Sequence, residues 1–380
     1  MPKKIIFFIP TLSIGGGERV VSELSLNFPD SVTTTIVLFQ NQVSYPYKGK
    51  LVCLNIPISN PLPLKVYYFF LCFFRFRKII RQENPDYVIS FGPALNVINL
   101  FSSKKNILRV DNVMSCSGKG IIYETMIKLF YNKAPRIVCV SKVSAADLVK
   151  NFGIKEEKIK VIHNPLNIKE IKNLALNPLE PEYQKIFEKP VIITVGRLTK
   201  QKNHKSLIAS FKYVKEKVKG AQLVILGKGE LEPGLKRLIK DLKLEKDVHI
   251  LGWQKNPFKF LSRAKAFVLS SLWEGLPYVL LEAMACSLPV ISADCKSGPR
   301  EILAPDTDIN QKIEDVEYEK FGILTPSFDG NPNSIQKLSE AMVKILTDKQ
   351  LSDNLAKKSL ERAEDFDIKN IIKKWDFLLL

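Results

Sequence analysis

Histidine is nearly absent from this sequence, and cysteine is sparse. The 380 residues include 3 histidines and 6 cysteines. The cysteines form no Cys-x-x-Cys pair and have no histidine at ligand spacing, which excludes a zinc finger and disfavours a disulfide framework. We therefore expect reduced thiols and a cytosolic protein.

The sequence also lacks an apolar run long enough to cross a bilayer. The longest uninterrupted run, residues 66–74, has about half the required length. Residues 5–9 follow two lysines as in a signal peptide, but the run stops at Pro10 without a cleavage site. These residues predict a first buried strand, and no transmembrane helix is expected.

Acidic residues are outnumbered, and the imbalance is uneven. Lys and Arg number 57 against 39 Asp and Glu, a net charge of +18. Residues 1–180 hold 24 basic residues against 12 acidic ones, and the remainder holds 33 against 27. This excess favours anionic partners: nucleic acid, acidic lipid or phosphorylated ligands.

What the sequence does contain is a regular alternation of short apolar segments with helical ones. Two such series are separated by residues 174–190, whose three prolines predict a linker. Each series predicts a doubly wound α/β domain with a parallel sheet. The predicted strands cover residues 5–9, 33–39, 87–90, 107–110 and 137–140, and then 191–195, 222–226, 248–251, 266–269 and 289–292.

The domains are expected to span residues 1–176 and 188–355, with a helical segment, 356–380, returning towards the first. Ligands of doubly wound sheets bind outside the carboxyl ends of the strands. We therefore expect the site to lie where the two domains face each other across a cleft.

A glycine-rich turn follows the first predicted strand. Gly15, Gly16 and Gly17 allow a ligand to approach the backbone, and the helix that follows favours an anion at its start. The pattern is not Gly-x-Gly-x-x-Gly, which disfavours a dinucleotide-dependent dehydrogenase. A tight turn that binds nothing is the alternative.

Charged residues follow two strands of the second series. Arg197 and Lys202 come after residues 191–195, where an Arg fork and a Lys charge can hold a diphosphate. Glu274 and Glu282 bracket a helix start after residues 266–269, so both carboxylates can face one ligand. The alternatives are solvated loop cations and a helix cap with a surface glutamate.

Together and in order, these motifs resemble the retaining GT-B glycosyltransferases of glycosyltransferase family 4. The resemblance extends over essentially the whole chain. Its segments are Gly-Gly-x-Glu-Arg after the first strand, Val140-Ser141, Ile162 to Pro165, Gly196-Arg-Leu with Lys202-Asn203, Leu226 to Glu230, and Glu274 to Glu282. The run CKSGPREI at residues 295–302 also looks like that of relatives that build bacterial surface or lipid-linked glycans.

For the second domain the resemblance implies a donor site. Arg197 and Lys202 would bind the diphosphate, Glu282 would accept from the ribose hydroxyls, and Glu274 would act on the transferred sugar as a catalytic residue. The remaining implied donor-binding residues are Gly196, Trp253, Leu276, Pro277, Tyr278 and Val279.

For the first domain the resemblance implies an acceptor side, formed by Gly15, Gly16, Arg109, Ser141 and Asn164. Many relatives carry a histidine after the fourth strand, where this sequence has Arg109 and Asp111. Asp111 is the second catalytic candidate. Three roles are open to it: assisting the acceptor hydroxyl, bonding the donor hexose, or capping a turn.

No metal or other cofactor is expected. The Asp-x-Asp motifs at residues 306–308 and 365–367 lie late in the chain, and neither ends an early strand, so chance explains them better. Arg197, Lys202 and helix amides can stabilise the leaving diphosphate directly.

Residues 62–81 predict a helix at a membrane surface. Residues 66, 69, 73, 76 and 80 form a stripe that is expected to face the sheet. The other face carries large apolar residues followed by cations, which suits the headgroup region of a bilayer. These residues are Tyr67, Phe70, Leu71 and Phe74, then Arg75, Lys78 and Arg81. The alternative is a helix buried on both sides.

The expected function is transfer of a hexosyl or N-acetylhexosaminyl group from a nucleotide sugar, a UDP-sugar, to a lipid-linked or surface-glycan hydroxyl. The enzyme is expected on the cytoplasmic face of the plasma membrane. A sugar-nucleotide epimerase and a basic nucleic-acid-binding protein are the rival classes. The second predicts aromatics interleaved with cations, whereas here aromatics concentrate on one helix, so no nucleic-acid partner is expected.

Overall fold

Short runs of apolar residues form the strands of two separate sheets, as their alternation with helices predicts. The computed structural model describes residues 2–13, 15–57, 62–116, 120–328 and 331–379. The chain divides into two compact units. The first unit comprises Met1–Pro165 with Ile368–Leu380, and the second comprises Leu166–Asp367.

The first unit contains a seven-stranded parallel sheet in the order β3-β2-β1-β4-β5-β6-β7. Its order reverses between β1 and β4, the switch point at which such sheets bind ligands. The strands are β1 (Lys3–Ile9), β2 (Val32–Leu38), β3 (Lys50–Cys53), β4 (Tyr87–Phe91), β5 (Asn106–Val110), β6 (Arg136–Cys139) and β7 (Ile159–Val161).

Six helices accompany this sheet in the described residues. They are α1 (Gly16–Asn27), α2 (Leu62–Glu83), α3 (Pro93–Ser102), α4 (Ile121–Phe130), α5 (Lys142–Phe152) and, from the end of the chain, α15 (Ile368–Leu379). Helix α15 packs beside α1, and α2 packs beside α3. The last helix of the chain is therefore part of the first unit.

The second unit contains another seven-stranded sheet, in the order β10-β9-β8-β11-β12-β14-β13. Only β13 pairs antiparallel among its described strands. The strands are β8 (Val191–Val195), β9 (Gln222–Leu226), β10 (Val248–Gly252), β11 (Ala266–Leu269), β12 (Val290–Ala293), β13 (Glu317–Glu319) and β14 (Gly322–Thr325). The order reverses between β8 and β11, which defines the switch point of this unit.

The helices of the second unit pack with its sheet around a core of buried apolar side chains. They are α6 (Ile168–Ala175), α7 (Pro181–Phe187), α8 (His204–Lys217), α9 (Glu232–Asp241), α10 (Phe258–Leu261), α11 (Tyr278–Ala285), α12 (Pro299–Leu303), α13 (Ser334–Thr347) and α14 (Lys349–Glu364).

The predicted linker at residues 174–190 is wrong. These residues contain α7, and the whole segment lies inside the second unit. Helix α6 packs on α10 and α11 of that unit, so the first unit ends at Pro165 and not at the predicted residue 176. Four short strands of the two sheets, β3, β7, β13 and β14, were not predicted because three or four residues carry too little periodicity.

The predicted core stripe of α2 is partly wrong. Among the described side chains of the helix, Cys72 and Phe76 are buried, whereas Val66 is 56% exposed. Leu71, expected on the outer face, packs partly against the core of the first unit. The rest of the predicted stripe, Phe69, Phe73, Phe76 and Ile80, does contact this core, and Phe76 stacks on Phe8 of β1 with ring centroids 3.8 Å apart. No helix within the described residues is long and apolar enough to span a membrane.

Candidate active site

Glycines bring two loops of the second unit into close contact. A Cβ atom on Gly227 would lie 1.9 Å from the carbonyl oxygen of Gly196, and one on Gly229 would lie 2.4 Å from that of Leu198. The amide of Leu198 donates to the carbonyl of Lys228 at 3.0 Å. The loops after β8 and β9 can therefore approach each other only with glycine at positions 227 and 229.

The loop after β8 is also joined to the loop after β11, across the switch point. The side chain of Gln201 donates to the carbonyl of Trp273 at 2.9 Å, and the amide of Leu272 donates back to Gln201 at 2.8 Å. Ser270 Oγ donates to the carbonyl of Lys202 at 2.9 Å. These bonds fix the backbone that carries Lys202 beside the backbone that carries Glu274.

Lys202 and Glu274 form an ion pair at the centre of this arrangement. Lys202 Nζ donates to Glu274 Oε1 at 2.6 Å, and Ser271 Oγ donates to the same oxygen at 2.6 Å. Their side chains are only 15% and 8% exposed. The stem of Lys202 lies against Gly196, where a Cβ atom would be 3.3 Å from its Cδ. A charge-assisted bond of this length in a low-dielectric setting is strong, so both groups are held in place.

The loop that follows Glu274 packs against the loop that follows β12. Ser297 Oγ donates to the carbonyl of Gly275 at 2.6 Å. Gly298 has φ +80°, and a Cβ atom there would lie 2.5 Å from Pro277. The CKSGPREI run therefore shapes the Glu274 loop, a role that its sequence alone did not predict.

His204 begins α8, directly after the loop that carries Lys202. Burial, reinforced by the charge of Lys202, lowers the pKa of His204 to about 4. The imidazole is therefore neutral at physiological pH and adds no charge to the site.

The other predicted donor-binding residues also belong to the second unit, and their side chains differ in exposure. Arg197 is exposed in the loop after β8, and Trp253 is half-exposed directly after β10. Glu282 is buried in α11. Leu276 and Pro277 are also buried, while Tyr278 and Val279 at the start of α11 are partly accessible.

In the first unit, the glycine turn lies beside Asp111. A Cβ atom on Gly17 would lie 3.8 Å from Asp111 Oδ2, in ordinary contact, and one on Gly16 would meet nothing within 4 Å. Gly15 precedes α1 in extended conformation, with Glu18 folded towards it. Asp111 follows β5, so the turn and the carboxylate share the carboxyl edge of the sheet.

Three predicted acceptor-side residues are less accessible than expected. Arg109 is fully buried, which is at odds with direct contact between its side chain and an acceptor. It bonds Asp111 and Asn164, and Asn164 is itself 7% exposed. Ser141 is fully buried as the N-cap of α5, where its hydroxyl accepts from the amide of Ser144 at 3.1 Å. Ser141 thus serves the helix start.

The outer face of α2 is exposed as predicted for its aromatic residues. Tyr67, Phe70 and Phe74 are 59%, 55% and 65% exposed. Lys78 and Arg81 are also exposed. Arg75 is exposed as well, and its guanidinium also donates to the carbonyl oxygens of Leu54 and Asn55 after β3.

Within the described residues, no group of three or more His, Cys, Asp or Glu side chains is placed to hold a metal ion. The charged groups gathered at the second switch point are Lys202 and Glu274, with Arg197 in the same loop. This set offers cations for phosphate oxygens and one carboxylate for hydroxyl groups.

Two family models match the chain. Residues 14–170 match glycosyltransferase family 4, and residues 179–362 match the glycosyl transferases group 1. The two matches together include every residue of the candidate site.

Relatives cover nearly the whole chain. An uncharacterized glycosyltransferase of Methanocaldococcus jannaschii is 39% identical over 87% of this chain and 88% of its own length. A Campylobacter jejuni enzyme, N-acetylgalactosamine-N,N'-diacetylbacillosaminyl-diphospho-undecaprenol 4-alpha-N-acetylgalactosaminyltransferase, is 30% identical over 96% of both chains. The crystal structure of HepE from Anabaena in complex with UDP has a TM-score of 0.76 at 18% identity and covers 99% of both chains, which shows a shared fold.

Proposed function

We propose, on the premise that this chain belongs to the family 4 glycosyltransferases of the GT-B fold, that it transfers a hexosyl or N-acetylhexosaminyl group from a UDP-sugar to a lipid-linked or surface-glycan hydroxyl. The anomeric configuration is retained, with the nucleotide leaving and the acceptor attacking on the same face. The observation that carries this proposal is the Lys202–Glu274 pair beside the switch point of the second sheet.

The donor diphosphate binds to Lys202 and Arg197. An ammonium group has three donors; one of them meets Glu274 in this structure, and the others can meet phosphate oxygens. Arg197 adds a planar fork from the same loop. As the glycosidic bond breaks, charge grows on the leaving diphosphate, and these fixed cations oppose it.

The carboxylates meet the hydroxyl groups of the donor. Glu274 accepts from the transferred sugar, and Glu282 accepts from the ribose. The UDP bound to HepE supports a uridine nucleotide as the donor.

The acceptor is a saccharide on a lipid carrier. The name of the Campylobacter relative describes such an acceptor, with diphospho-undecaprenol as the carrier. A carrier of that chemistry is anionic and apolar at once, so the enzyme must work at a membrane surface. The net charge of +18 and the exposed aromatic face of α2 fit that requirement.

A donor panel tests the proposal. The protein is incubated with UDP-sugars, with and without a polyprenyl-diphosphate saccharide, and the products are weighed by mass spectrometry. We expect UDP release and an acceptor heavier by one hexose or N-acetylhexosamine. Interconversion of the donor without an acceptor product would indicate an epimerase instead, and no reaction with any donor and acceptor would overturn the proposal.

Transfer is expected to be independent of divalent metal, since Lys202 and Arg197 supply the positive charge that a metal supplies elsewhere. Activity in excess EDTA should stay within about twofold of the untreated enzyme, a change too small to reflect a lost charge contact. The measurement is UDP release before and after chelation. Loss of activity that manganese or magnesium restores would contradict this expectation.

Replacing Tyr67, Phe70 and Phe74 together by serine is expected to reduce binding to anionic liposomes. Each fully buried aromatic side chain contributes up to about 1.5–3 kcal/mol, and less at a shallow interface. The exposed Lys78 and Arg81 add on the order of 1 kcal/mol each near anionic lipid. Cosedimentation with vesicles measures the change, and UDP affinity should stay the same because the donor residues belong to the second unit.

A double Tyr213→Ser and Tyr318→Ser variant provides the matched control, since both tyrosines are 51% exposed in the second unit. Its vesicle binding should equal that of the parent. High salt should release only part of the parent protein, because salt does not screen the apolar contribution. A triple serine variant that unfolds, with no vesicle binding by the parent, would favour a helix buried against a partner.

A further inference from the structure

Arg109 is a fully buried cation whose environment the donor chemistry does not explain. It is the fourth residue of β5, and its side chain has no solvent exposure. Burying a guanidinium costs free energy that its partners must offset. A buried ion pair is often replaceable by apolar residues without loss of stability, so stability alone does not account for it.

The partners of Arg109 converge on Asp111. Arg109 Nε donates to Asp111 Oδ1 at 2.7 Å, and the NH2 group donates to Asn164 Oδ1 at 2.6 Å. Asn96 fixes the backbone from the other side, because its side-chain amide donates to the carbonyl of Arg109 at 3.0 Å. Only Asp111 in this group reaches solvent appreciably, with its side chain 27% exposed.

Two aromatic rings flank the guanidinium. Its Cζ lies 5.6 Å from the ring centroid of Phe91 and 5.9 Å from that of Trp375. Trp375 is fully buried and comes from α15, so the last helix of the chain supplies one of the two rings. Both distances are within the range of cation–π attraction, which limits the positions that the guanidinium can take.

We propose that Arg109 is a positioning residue of the transfer reaction: flanked by Phe91 and Trp375, it holds the Asp111 carboxylate through Oδ1 so that Oδ2 accepts a hydrogen bond from a substrate hydroxyl. This inference rests on the proposed function. It gives α15 a part in the reaction, through one side chain, without contact between that helix and the substrate.

The test is a set of variants assayed for transfer with saturating donor. Asp111→Asn is expected to lower kcat about 100-fold, within the range for loss of a positioned polar group. Arg109→Lys keeps the charge but loses the fork, and kcat should fall about 10-fold or more with the donor KM unchanged. The double variant Arg109→Lys with Asp111→Asn should be no slower than Asp111→Asn alone, because both changes remove one arrangement.

Variants at Trp375 test the same positioning role and leave the buried charge of Arg109 in place. Trp375→Leu removes the ring and should lower kcat severalfold, whereas Trp375→Phe keeps an aromatic ring and should recover part of that loss. Arg136→Met is the matched control. It removes the bond from Arg136 to the carbonyl of Leu378 in α15, at the opposite edge of the sheet from Asp111, and should leave kcat unchanged.

Each outcome decides between a positioning role and a structural one. The inference would be overturned if the fold losses in kcat of Arg109→Lys and Asp111→Asn multiplied in the double variant. It would also be overturned if Trp375→Leu and Arg136→Met lowered kcat equally. Either result indicates general weakening of the unit. An active parent whose Arg109→Lys variant is equally active overturns this inference alone. A parent that transfers nothing from the donor panel overturns the proposed function as well.

Discussion

Replacing Glu274 by glutamine is expected to lower transfer roughly 100- to 1000-fold, the range for losing one preorganised electrostatic contact. UDP affinity should be kept or increased. The reason is the ion pair: glutamine keeps an acceptor oxygen but no charge, so the Lys202 ammonium loses its ion-pair partner at 2.6 Å and is held less tightly, which lets its donors turn to the diphosphate. Turnover at saturating donor and calorimetric titration with UDP measure the two quantities separately.

Ser271→Ala is the matched control for Glu274. It removes the other hydrogen bond to Glu274 Oε1, at 2.6 Å, and keeps the carboxylate itself. We expect a loss of about 10-fold or less, since a hydroxyl-to-carboxylate bond contributes on the order of 1.5 kcal/mol and the ion pair with Lys202 still holds the carboxylate. Turnover of Glu274→Gln within threefold of the parent would remove Glu274 from the reaction.

Replacing Lys202 by methionine is expected to have the opposite pattern, with its main effect on nucleotide affinity. Methionine keeps the apolar stem against Gly196 and removes the charge. A charge-assisted contact contributes about 1.5–3 kcal/mol, so the Kd for UDP should rise roughly 10- to 150-fold. The melting temperature should also fall, because Glu274, with a side chain only 8% exposed, is left without its cation.

Lys200→Met is the control for this change, since Lys200 is exposed in the same short turn. It should bind UDP as the parent does. Arg197→Met and Glu282→Gln should weaken UDP binding with little effect on melting. Undiminished UDP affinity in all three variants, at Lys202, Arg197 and Glu282, would refute the assignment of the donor site.

The outer face of α2 shows how much helix periodicity can predict. The pattern of apolar residues predicted a helix at residues 62–81 and exposed aromatics on it, and both are confirmed. Its buried side was predicted less well, since Val66 is exposed and Cys72 is buried. Residues 66–74 are apolar without interruption, so their sequence could not define which of them contact the core.

Ser141 and Arg109 show a different limit. Ser141 comes shortly after β6, and Arg109 lies one residue before the end of β5, near the edge where side chains commonly face ligands, and the resemblance to a family favoured such roles. Whether a hydroxyl caps a helix or faces solvent depends on the path of the next few residues. Ser141 is buried by α5, and Arg109 is buried by Trp375, a residue 266 positions later in the sequence.

The sequence by itself determined the two parallel sheets, the family and the segments that carry the chemistry. Apolar strands alternating with helices have few ways to fold, and turns at the carboxyl ends of such strands are where polar residues can meet ligands. Only the tertiary structure decided which of those residues touch. Lys202 and Glu274 are 72 positions apart, and their contact arises because β8 and β11 become neighbours at the point where the strand order reverses. Such pairing depends on the order of strands in space, which no local pattern of residues records.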